Sequence, residues 1–383
     1  MKVLVIGAGM MGRAIAYDLD RFSNFDEIFL GDKDIQTRVS AKKFLKDTNV
    51  DVIPINVDTT NQLKNQFQKV DVVISAVPYR FNFTLAKMAV ETKTHFVDLG
   101  GNNTIVKNER SLFSKAKKND VTIIPDSGLA PGLVSVITRD IVDHMDTVDF
   151  VKLRVGGLPR YPQPPLNYQI VFSPFGLINE YVENAIILNH EKILEKKSMT
   201  EVESLKFPKP FGTMEAFLTS GGCSTLPFTY KDTIGYLDYK TIRYPGHCEK
   251  IKAFLDLGLA DETKMNFAGH LIAPRDVFVS LLVKHVPITG EDVVLLKIVS
   301  QGIKNGKKRS RDYLMIDYCD SKHDITAMMR TTGYPVSITA QMIENGMIQQ
   351  RGVFCPEEII PPSLFFAELK KRDITLSITD RSV

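Results

Sequence analysis

The stretch PDSGLAPGL, residues 125–133, combines a carboxylate with residues that shape a backbone. It follows the apolar run VTII, so Asp126 stands where a buried strand is predicted to end. Gly128 and Gly132 would let the main chain approach a ligand closely, and Pro131 would stiffen it. A carboxylate there can accept a proton or stabilise a positive charge. The stretch predicts a ligand-facing loop with Asp126 as acid–base candidate; the alternative is a carboxylate that caps backbone N–H groups.

The glycine-rich stretch GAGMMG, residues 7–12, is a second candidate site. The apolar run KVLVI precedes it and a segment with helical spacing follows, which predicts a strand, a turn and a helix. In the G-x-G-x-x-G pattern, Gly7 permits the tight turn, Gly9 lets a pyrophosphate approach, and Gly12 lets the helix pack on the strand. The helix N-terminus offers free N–H groups to the phosphates. The stretch predicts a dinucleotide-binding turn.

The strand EIFLGD ends in Asp32, about 20 residues after the last of these glycines. A carboxylate at that place accepts hydrogen bonds from the ribose hydroxyls of the adenosine and repels a 2′-phosphate. This favours NAD over NADP, although the adjacent Lys33 could soften the repulsion. The alternative is that Asp32 is only a turn residue after a strand.

Further predicted strands alternate with helical patterns of 10–15 residues through residue 128. This alternation indicates a parallel, doubly wound sheet, on which ligands bind at the carboxyl ends of the strands. There, Asp58 could reach the adenine amino group and Ala76–Val77 could line the dinucleotide. The candidate cofactor-binding residues are Gly7, Gly9, Met10, Met11, Gly12, Asp32, Lys33, Asp58, Ser75, Ala76, Val77, Pro78, Asp98, Leu99 and Gly132.

A chain of 383 residues is long enough for two domains. We expect an α/β Rossmann domain at residues 1–128 and a second, mixed α+β domain at 129–330 for substrate binding and dimerisation. In the second region DFVKLRVGGLP, EAFLTSGG, DVFVSLLVKHVP, DVVLLKIVSQGI and KRSRDYLMIDYC are predicted to be extended, and IKNGKK to be a hairpin turn. PFGLINEYVENAIIL and HCEKIKAFLDLG are predicted to be helical. Residues 331–383 carry two amphipathic helices that could pack back on the first domain.

Composition excludes several classes of partner. The net charge of +3 is small for this length and gives no reason to expect nucleic acid or an acidic membrane. The strand predicted at the first residues leads us to expect no signal peptide, and no apolar stretch is long enough to span a membrane. The four cysteines show no CxxC pair, which suggests reduced thiols, a cytoplasmic protein and no metal site. Zinc ligation by Cys223, Cys248 and His247 is the weaker alternative.

Taken together, these segments resemble the saccharopine dehydrogenase family and, within it, the lysine 6-dehydrogenase type. The resemblance covers nearly the whole chain. It rests on VIGAGMMGRAIAYDL, VVISAVPYRFN, THFVDLGGN, PDSGLAPGLVS, VGGLPRYPQPPLNYQIVFSP, EAFLTSGGCSTLP and DYKTIRYPGHCEKIK. It implies NAD(P)-dependent oxidation at a carbon that bears an amine, with lysine or an N-substituted lysine as substrate. It also implies a Rossmann domain and a substrate domain whose sheet often carries a homodimer contact.

The resemblance also implies site residues. Asp126, Pro131 and Gly132 match the family's substrate-facing loop. The other residues that it places toward the substrate are Gly157, Tyr168, Ser173, Thr241, Arg243 and Tyr244. In one place the chain departs from the family: fungal saccharopine reductases hold an arginine that helps to bind a saccharopine carboxylate in a segment similar to SGGCST, where this chain has Cys223. That absence favours a simple amino acid as substrate.

Oxidation of an amine requires an unprotonated nitrogen, and a lysine ε-amine has a pKa of about 10.4. Asp126 could take the proton or stabilise the iminium, and His247 could assist as a base. Arg243 is the first candidate for the substrate carboxylate, because a guanidinium binds carboxylates through two bonds. Tyr168 and Ser173 are neutral donors, and Tyr79 could stack beside the nicotinamide. Each residue also has a structural alternative. Asp126 could be a capping carboxylate and His247 a turn residue. Arg243 could form a surface ion pair, and Tyr79 could be a core residue.

The leading functional prediction is NAD-dependent oxidative deamination of L-lysine at its ε-carbon, which yields 2-aminoadipate 6-semialdehyde and ammonia. A saccharopine dehydrogenase, in which glutamate leaves instead of ammonia, is the alternative. A non-catalytic protein that binds NAD as a redox sensor is the alternative from a different class. A sensor has no need for a set of polar side chains beside the nicotinamide.

Overall fold

The computed structural model describes all 383 residues. The strands are Lys2–Ile6 (β1), Glu27–Asp32 (β2), Val50–Pro54 (β3), Val72–Ser75 (β4), His95–Asp98 (β5), Thr122–Ile124 (β6), Thr147–Pro159 (β7), Ala185–Asn189 (β8), Lys192–Lys196 (β9), Glu203–Lys206 (β10), Thr213–Leu218 (β11), Ile234–Arg243 (β12), Met265–Phe267 (β13), His270–Ile272 (β14), Asp292–Lys304 (β15), Lys307–Tyr318 (β16), Gly352–Val353 (β17) and Ser377–Ser382 (β18). The helices are Met10–Phe22 (α1), Ile35–Phe44 (α2), Thr60–Phe67 (α3), Asn82–Thr92 (α4), Asn103–Arg110 (α5), Phe113–Lys118 (α6), Leu133–Asp143 (α7), Pro174–Val182 (α8), Leu226–Thr229 (α9), His247–Asp256 (α10), Pro274–His285 (α11), Ala327–Glu344 (α12), Pro356–Ile359 (α13) and Pro362–Lys371 (α14), and Tyr79–Phe81 is a short 3-10 helix.

The first of two compact units comprises Met1–Asp143, Ser224–Leu226 and Met329–Ile374. Its strands lie in the order β17-β6-β5-β4-β1-β2-β3, and neighbouring strands are parallel. The order 3-2-1-4-5-6 is that of a Rossmann sheet, to which β17 is added at the β6 edge. Every residue of β4 and β6 is buried, as expected for strands that helices cover on both faces. The predicted doubly wound parallel sheet is confirmed.

The second unit comprises His144–Cys223, Pro227–Met328 and Thr375–Val383. Its main sheet has the order β10-β11-β12-β7-β15-β16-β18, with β8 on β12 and β9 on β8. The pair β12–β7 is parallel and the others are antiparallel. The hairpin turn predicted in IKNGKK joins β15 to β16. The predicted mixed α+β domain is confirmed.

Two segments of the second unit differ from their predicted secondary structure. DVFVSLLVKHVP, predicted to be extended, lies in helix α11. Its valines favour a strand, but Phe278, Val279 and Leu282 form one buried stripe at helical spacing, and a proline stands at the start of the helix. AIIL, predicted to continue a helix, is strand β8, because it pairs with both β9 and β12.

The chain passes between the units more often than a division at residues 128 and 330 describes. Helix α7 and residues 224–226 belong to the first unit, although the sequence-based division assigns them to the second domain. Residues 329–374 also belong to the first unit, whereas 375–383 join the second through the pairing of β18 with β16. Hydrophobic periodicity locates the elements, but it does not tell which sheet each one joins. None of the helices combines the length and the apolar character that crossing a membrane requires.

Candidate active site

The glycine-rich turn between β1 and α1 leaves space where a phosphate would bind. A Cβ atom on Gly9 would meet nothing within 4 Å, whereas one on Gly12 would lie 1.7 Å from the carbonyl oxygen of Gly7. No side chain caps the N-terminus of α1, so the first N–H groups at Met10 and Met11 have no side-chain acceptor there. The turn is close-packed on its protein side and open on the other, which fits a bound pyrophosphate.

Asp32, at the end of β2, fastens the glycine-rich turn to its neighbour strand. Its carboxylate accepts hydrogen bonds from the backbone N–H groups of Ala8 and Asp34, both at 2.9 Å. Lys33 forms an ion pair with Asp58 at 3.6 Å, and both side chains are exposed. Arg38, to which the sequence analysis assigned no role, donates to the carbonyl oxygens of Asp32 and Lys33 at 2.9 and 2.8 Å. One carboxylate and two cations therefore lie where the ribose of a dinucleotide would bind.

The remaining predicted cofactor residues lie at the ends of β4 and β5. Ser75 and Asp98 are buried, and the Ser75 hydroxyl donates to Asn82 at 2.8 Å. Leu99 is partly buried after β5. Ala76, Val77 and Pro78 lead from β4 into the 3-10 helix that begins at Tyr79. The sheet thus places these strand ends at one edge, as a Rossmann cofactor site requires.

Asp126 is buried in the loop after β6, with only 1% of its surface exposed. It has a left-handed backbone with φ of 59°, which Asp tolerates better than most residues. The hydroxyl of Ser224 donates to its Oδ2, the N–H of Gly101 is close enough to lower its pKa, and Oδ1 has no hydrogen-bond partner. Gly132 is required by the loop itself, because a Cβ there would lie 2.1 Å from the carbonyl oxygen of Gly128.

Burial raises the pKa of Asp126 to about 8, and the nearby Asp98 and Glu357 add to the increase, while Ser224 and the Gly101 N–H oppose it. No cation forms an ion pair with Asp126 or Asp98. The carboxyl group is therefore neutral at pH 7 and loses its proton only in mildly alkaline solution. Such a group can hold and transfer a proton.

In the second unit, Arg243 at the end of β12 is a buried cation that forms no ion pair, although the carboxyl group of Glu180 acts on it electrostatically. It is 2% exposed, its Nε donates to Tyr181 Oη at 2.9 Å, and its Nη1 donates to the carbonyl of Ile242 at 2.9 Å. Its guanidinium lies 4.8 Å from the centre of the Tyr168 ring. It takes part in no ion pair. A buried charge in that state gains most from an anionic ligand.

His247 continues this cluster as a neutral imidazole. It is 1% exposed, and its pKa is lowered to about 3 by burial and by the charge of Arg243. Nδ1 lies 3.1 Å from the carbonyl oxygen of Leu166 and so donates, and Nε2 accepts from Tyr181 Oη at 3.1 Å. Both nitrogens are occupied. The predicted role of His247 as an assisting base conflicts with this arrangement, because the ring has no free lone pair and resists protonation at neutral pH.

The other predicted substrate residues of the second unit separate into two groups. Tyr168 and Thr241 are buried in or beside the Arg243 cluster; the Tyr168 hydroxyl has no partner, and Thr241 Oγ1 lies 2.7 Å from Thr219 Oγ1. Tyr168 also lines a cavity of about 220 Å³. The remaining three make contacts that hold the fold. Ser173 caps helix α8 by accepting from Gly176, the Tyr244 hydroxyl donates to Pro159 O at 3.0 Å, and a Cβ on Gly157 would lie 2.2 Å from Met328 Cε.

Comparisons with known proteins cover nearly the whole chain. Residues 3–124 match the saccharopine dehydrogenase NADP binding domain, and residues 128–374 match the saccharopine dehydrogenase C-terminal domain. The chain belongs to the saccharopine dehydrogenase family. It is thus a member of a family of NAD(P)-dependent oxidoreductases, and residues 3–124 are a pyridine-nucleotide-binding domain.

Curated relatives of this saccharopine dehydrogenase family member are longer than the chain. The mitochondrial alpha-aminoadipic semialdehyde synthase of Rattus norvegicus is 23% identical over 441 residues, which cover 95% of this chain and 46% of that protein. The saccharopine dehydrogenase [NADP(+), L-glutamate-forming] of Saccharomyces cerevisiae is 24% identical over 276 residues, 67% of this chain and 58% of that protein. The chain spans about half the length of the curated relatives it matches.

Among solved structures, the apo saccharopine dehydrogenase (L-Glu forming) of Saccharomyces cerevisiae has a TM-score of 0.82 at 20% identity and covers 100% of both chains. The homospermidine synthase of Legionella pneumophila, in complex with NAD, has a TM-score of 0.67 at 12% identity and covers 100% of this chain and 91% of that one. Both show that the fold is shared.

The sequence analysis did not identify several residues of the clusters around Arg243 and Asp126. Tyr181 holds Arg243 and His247 together, and Ser224 binds Asp126 across 98 positions of the chain. Glu109 and Glu357 are buried acids near Asp126. Nothing in the local pattern around Ser224 signals this contact, whereas a glutamate within an amphipathic helix is normally assigned to its solvent face.

Proposed function

We propose that this chain catalyses NAD-dependent oxidation of the carbon–nitrogen bond at the ε-carbon of L-lysine. The ammonium form of lysine, NAD⁺ and water give 2-aminoadipate 6-semialdehyde, an ammonium ion, NADH and one proton. When it is bound, the nicotinamide accepts the hydride. The glycine-rich turn and the strand ends of the first unit would hold the cofactor.

The observation that carries the choice of substrate is the buried cation Arg243. The other buried cations of the second unit have anionic partners: Arg154 pairs with Asp238 and Glu203, Lys240 with Glu203, and Arg275 with Glu262. Arg243 alone among them is without an ion pair. Its carboxyl neighbour Glu180 lies beyond ion-pair distance, and burial raises the pKa of that group to about 7. A guanidinium outside any ion pair suits a substrate with one carboxylate, which lysine has.

Asp126 is the proposed proton acceptor of the substrate amine. The amine must lose a proton before hydride leaves the ε-carbon, and Asp126 becomes able to take it as the pH rises through about 8. The kcat/KM for lysine oxidation is therefore expected to increase with pH across this range. In the reverse direction, the protonated form of Asp126 would donate to the nitrogen.

We propose NAD as the preferred cofactor because Asp32 stands at the ribose position. The two cations Lys33 and Arg38 beside it weaken the repulsion of a 2′-phosphate, and the matching family domain and the yeast relative are named for NADP. NADP is therefore the second cofactor to be tested. In this structure Lys33 pairs with Asp58, and Arg38 donates to two backbone carbonyl groups.

Saccharopine dehydrogenase is the second candidate, favoured by the names of the relatives. In that reaction glutamate leaves the same lysine carbon in place of ammonia. Saccharopine carries three carboxylates, so it calls for more cations than the one guanidinium that the second unit leaves without a partner. Cys223 stands where the fungal reductases are expected to supply one of them.

The deciding experiment measures NADH formation with lysine, saccharopine and cadaverine, the decarboxylated analogue of lysine, and identifies the nitrogen product. Lysine turnover with release of ammonia supports the proposal, whereas turnover of saccharopine with release of glutamate supports the second candidate. If no amine gives reduced cofactor, the remaining hypothesis is a non-catalytic protein that binds NAD as a redox sensor.

The variant Arg243→Met separates the role of the guanidinium from its effect on folding. We expect KM for lysine to rise about 10- to 100-fold, the scale of a lost charge-assisted hydrogen bond. Activity with cadaverine should change little, because cadaverine lacks the carboxylate. Arg309→Met, at an exposed arginine of β16, is the matched control. Equal losses with lysine and cadaverine would contradict the assignment.

A further inference from the structure

Glu109 is a buried acid that the proposed function does not use. It lies on helix α5, and its exposed fraction is 0%. Neither of its carboxyl oxygens has a hydrogen-bond partner that is a conventional donor. Its neighbour Arg110 points elsewhere and forms a two-bond ion pair with Glu358, at 2.6 and 3.0 Å. A buried glutamate without a cation is costly unless it keeps its proton.

Glu109 lies next to another carboxyl group, that of Asp98. Glu109 and Asp98 are within hydrogen-bond reach of each other, and Asp98 Oδ2 likewise lacks a conventional donor. Two carboxylates in this position would repel each other. One proton between them turns the repulsion into an O–H···O bond and supplies a partner to an oxygen on each side.

Asp98 connects this pair to Asp126. Its other oxygen, Oδ1, accepts from the N–H of Gly100 at 2.6 Å and from that of Asp126 at 3.4 Å. The position of Asp98 therefore affects the strained backbone of Asp126 as well as its charge. Asp98 and Glu109 form no ion pair, so no paired cation stabilises the state in which both carboxyl groups are ionised.

We infer that Glu109 and Asp98 share one proton at neutral pH, and that Glu109 acts as a positioning residue which, through Asp98, sets the ionisation of Asp126. The catalytic part of this inference rests on the proposed role of Asp126. The sharing of the proton does not, since it is a property of the folded chain without substrate.

The acid–base surroundings of Asp126 come from four parts of the chain. Asp98 ends β5, Glu109 lies on α5, Glu357 and the Cys355 thiol begin α13, and Ser224 approaches as a neutral donor. Burial raises the pKa of Glu109 well above its ordinary value, and the adjacent Asp98 raises it further. Burial also raises the pKa of Asp98. The cation at this cluster, Arg110, donates to Cys355 Sγ at 3.1 Å and pairs with Glu358. Because Asp98 and Glu357 are acids, a negative charge on Asp98 raises the pKa of Asp126 further.

The first test counts protons in the absence of substrate. A group that is protonated in the folded chain and ionised in the unfolded chain releases its proton on unfolding. Near pH 7 the Glu109→Gln variant should therefore release about one proton fewer than the unmodified protein, measured from the pH dependence of urea unfolding. Glu91→Gln, at an exposed glutamate paired with Lys64 at 3.0 Å, is the control and should not alter the count. An unaltered count in Glu109→Gln would overturn the inference.

The second test uses the pH dependence of kcat/KM. Glutamine keeps an N–H donor for Asp98, whereas leucine removes it at similar volume. Glu109→Gln should keep the alkaline-side increase of kcat/KM at the pH of the unmodified protein, and Glu109→Leu should move it to lower pH, because Asp98 then keeps a proton and no longer repels the charge on Asp126. Equal shifts in both variants would overturn the positioning role. If no amine is turned over, the proposed function fails, while the proton count still decides whether the proton is shared.

Discussion

Replacing Asp126 by asparagine should remove the proton acceptor and leave its loop intact. Asparagine tolerates the left-handed backbone at φ of 59° nearly as well as aspartate does. Its side-chain oxygen can still accept from Ser224, the donor that aspartate uses. The substitution is therefore close to isosteric, and the loop between β6 and α7 should keep its conformation.

The effect on stability depends on pH, and its sign follows from the raised pKa. The folded chain keeps the Asp126 proton up to about pH 8, whereas the unfolded chain loses it near the ordinary value of 3.8. Between these values the folded state binds more protons, so the free energy of unfolding falls as the pH rises and levels off above about 8. Asparagine has no proton to lose and avoids this fall.

The two pKa values of Asp126 set an upper limit on this change in the free energy of unfolding. The interval from 3.8 to about 8 corresponds to at most ~6 kcal/mol at 1.36 kcal/mol for each pH unit. Water penetration and relaxation around the ionised carboxylate reduce that penalty, so we expect roughly 3 kcal/mol. Relative to the unmodified protein, Asp126→Asn should thus be about equally stable near pH 4 and roughly 3 kcal/mol more stable near pH 9.

Urea unfolding at a series of pH values measures this difference, and turnover measures the chemical role. For lysine oxidation we expect kcat to fall about 100-fold in Asp126→Asn while the affinity for NAD is kept. Ser224→Ala serves as the control, because it keeps the carboxyl group but removes a donor that opposes the raised pKa. The increase in kcat/KM should then move to higher pH. A variant that melts early at every pH and turns over normally would refute the reasoning and show that Asp126 only holds its loop.

Further predictions concern the cofactor, the fold and the assembly. Asp32→Ala should narrow the preference for NAD over NADP, and equal kcat/KM with the two cofactors in the unmodified protein would refute that preference. Arg372→Met should lower the free energy of unfolding by about 3–5 kcal/mol, because it leaves the fully buried Asp18 without the cation that lies 2.7 Å away at Arg372 Nε. Gly12→Ala should abolish NAD binding in calorimetry, since its Cβ would overlap the carbonyl of Gly7. We expect a homodimer formed through the second unit, and sedimentation as a monomer at micromolar concentration would contradict it.

The sequence was informative where function depends on local order. The glycine-rich turn, the strands that end near Asp32 and Asp98, and the loop around Asp126 are each encoded within about ten consecutive residues. Short apolar runs that alternate with segments of helical spacing were enough to predict the parallel sheet and the mixed character of the second unit. The resemblance to family motifs then led to the prediction of oxidation at a carbon that bears nitrogen.

Some local signals were misleading or silent because packing decides between alternatives of similar intrinsic preference. A valine-rich segment became helix α11 because its buried stripe has helical spacing and packs into the core of the second unit. His247 was a plausible base by residue type, yet burial beside Arg243 keeps it neutral. Propensity and residue type do not include the desolvation that these side chains meet in the folded chain.

By itself, the sequence determined the family, the nucleotide-binding turn and the positions of the main candidate residues, since these follow from the order of neighbours along the chain. Only the tertiary structure decided which groups ionise. Asp126 holds its proton because it is buried and because Asp98 and Glu357 come to it from distant parts of the chain, while the hydroxyl of Ser224 opposes this effect. Arg243 forms no ion pair because the carboxyl group of Glu180, which acts on it electrostatically, lies beyond ion-pair distance. Charge states are set by burial and by contacts between remote residues, and neither can be read from spacing along the chain.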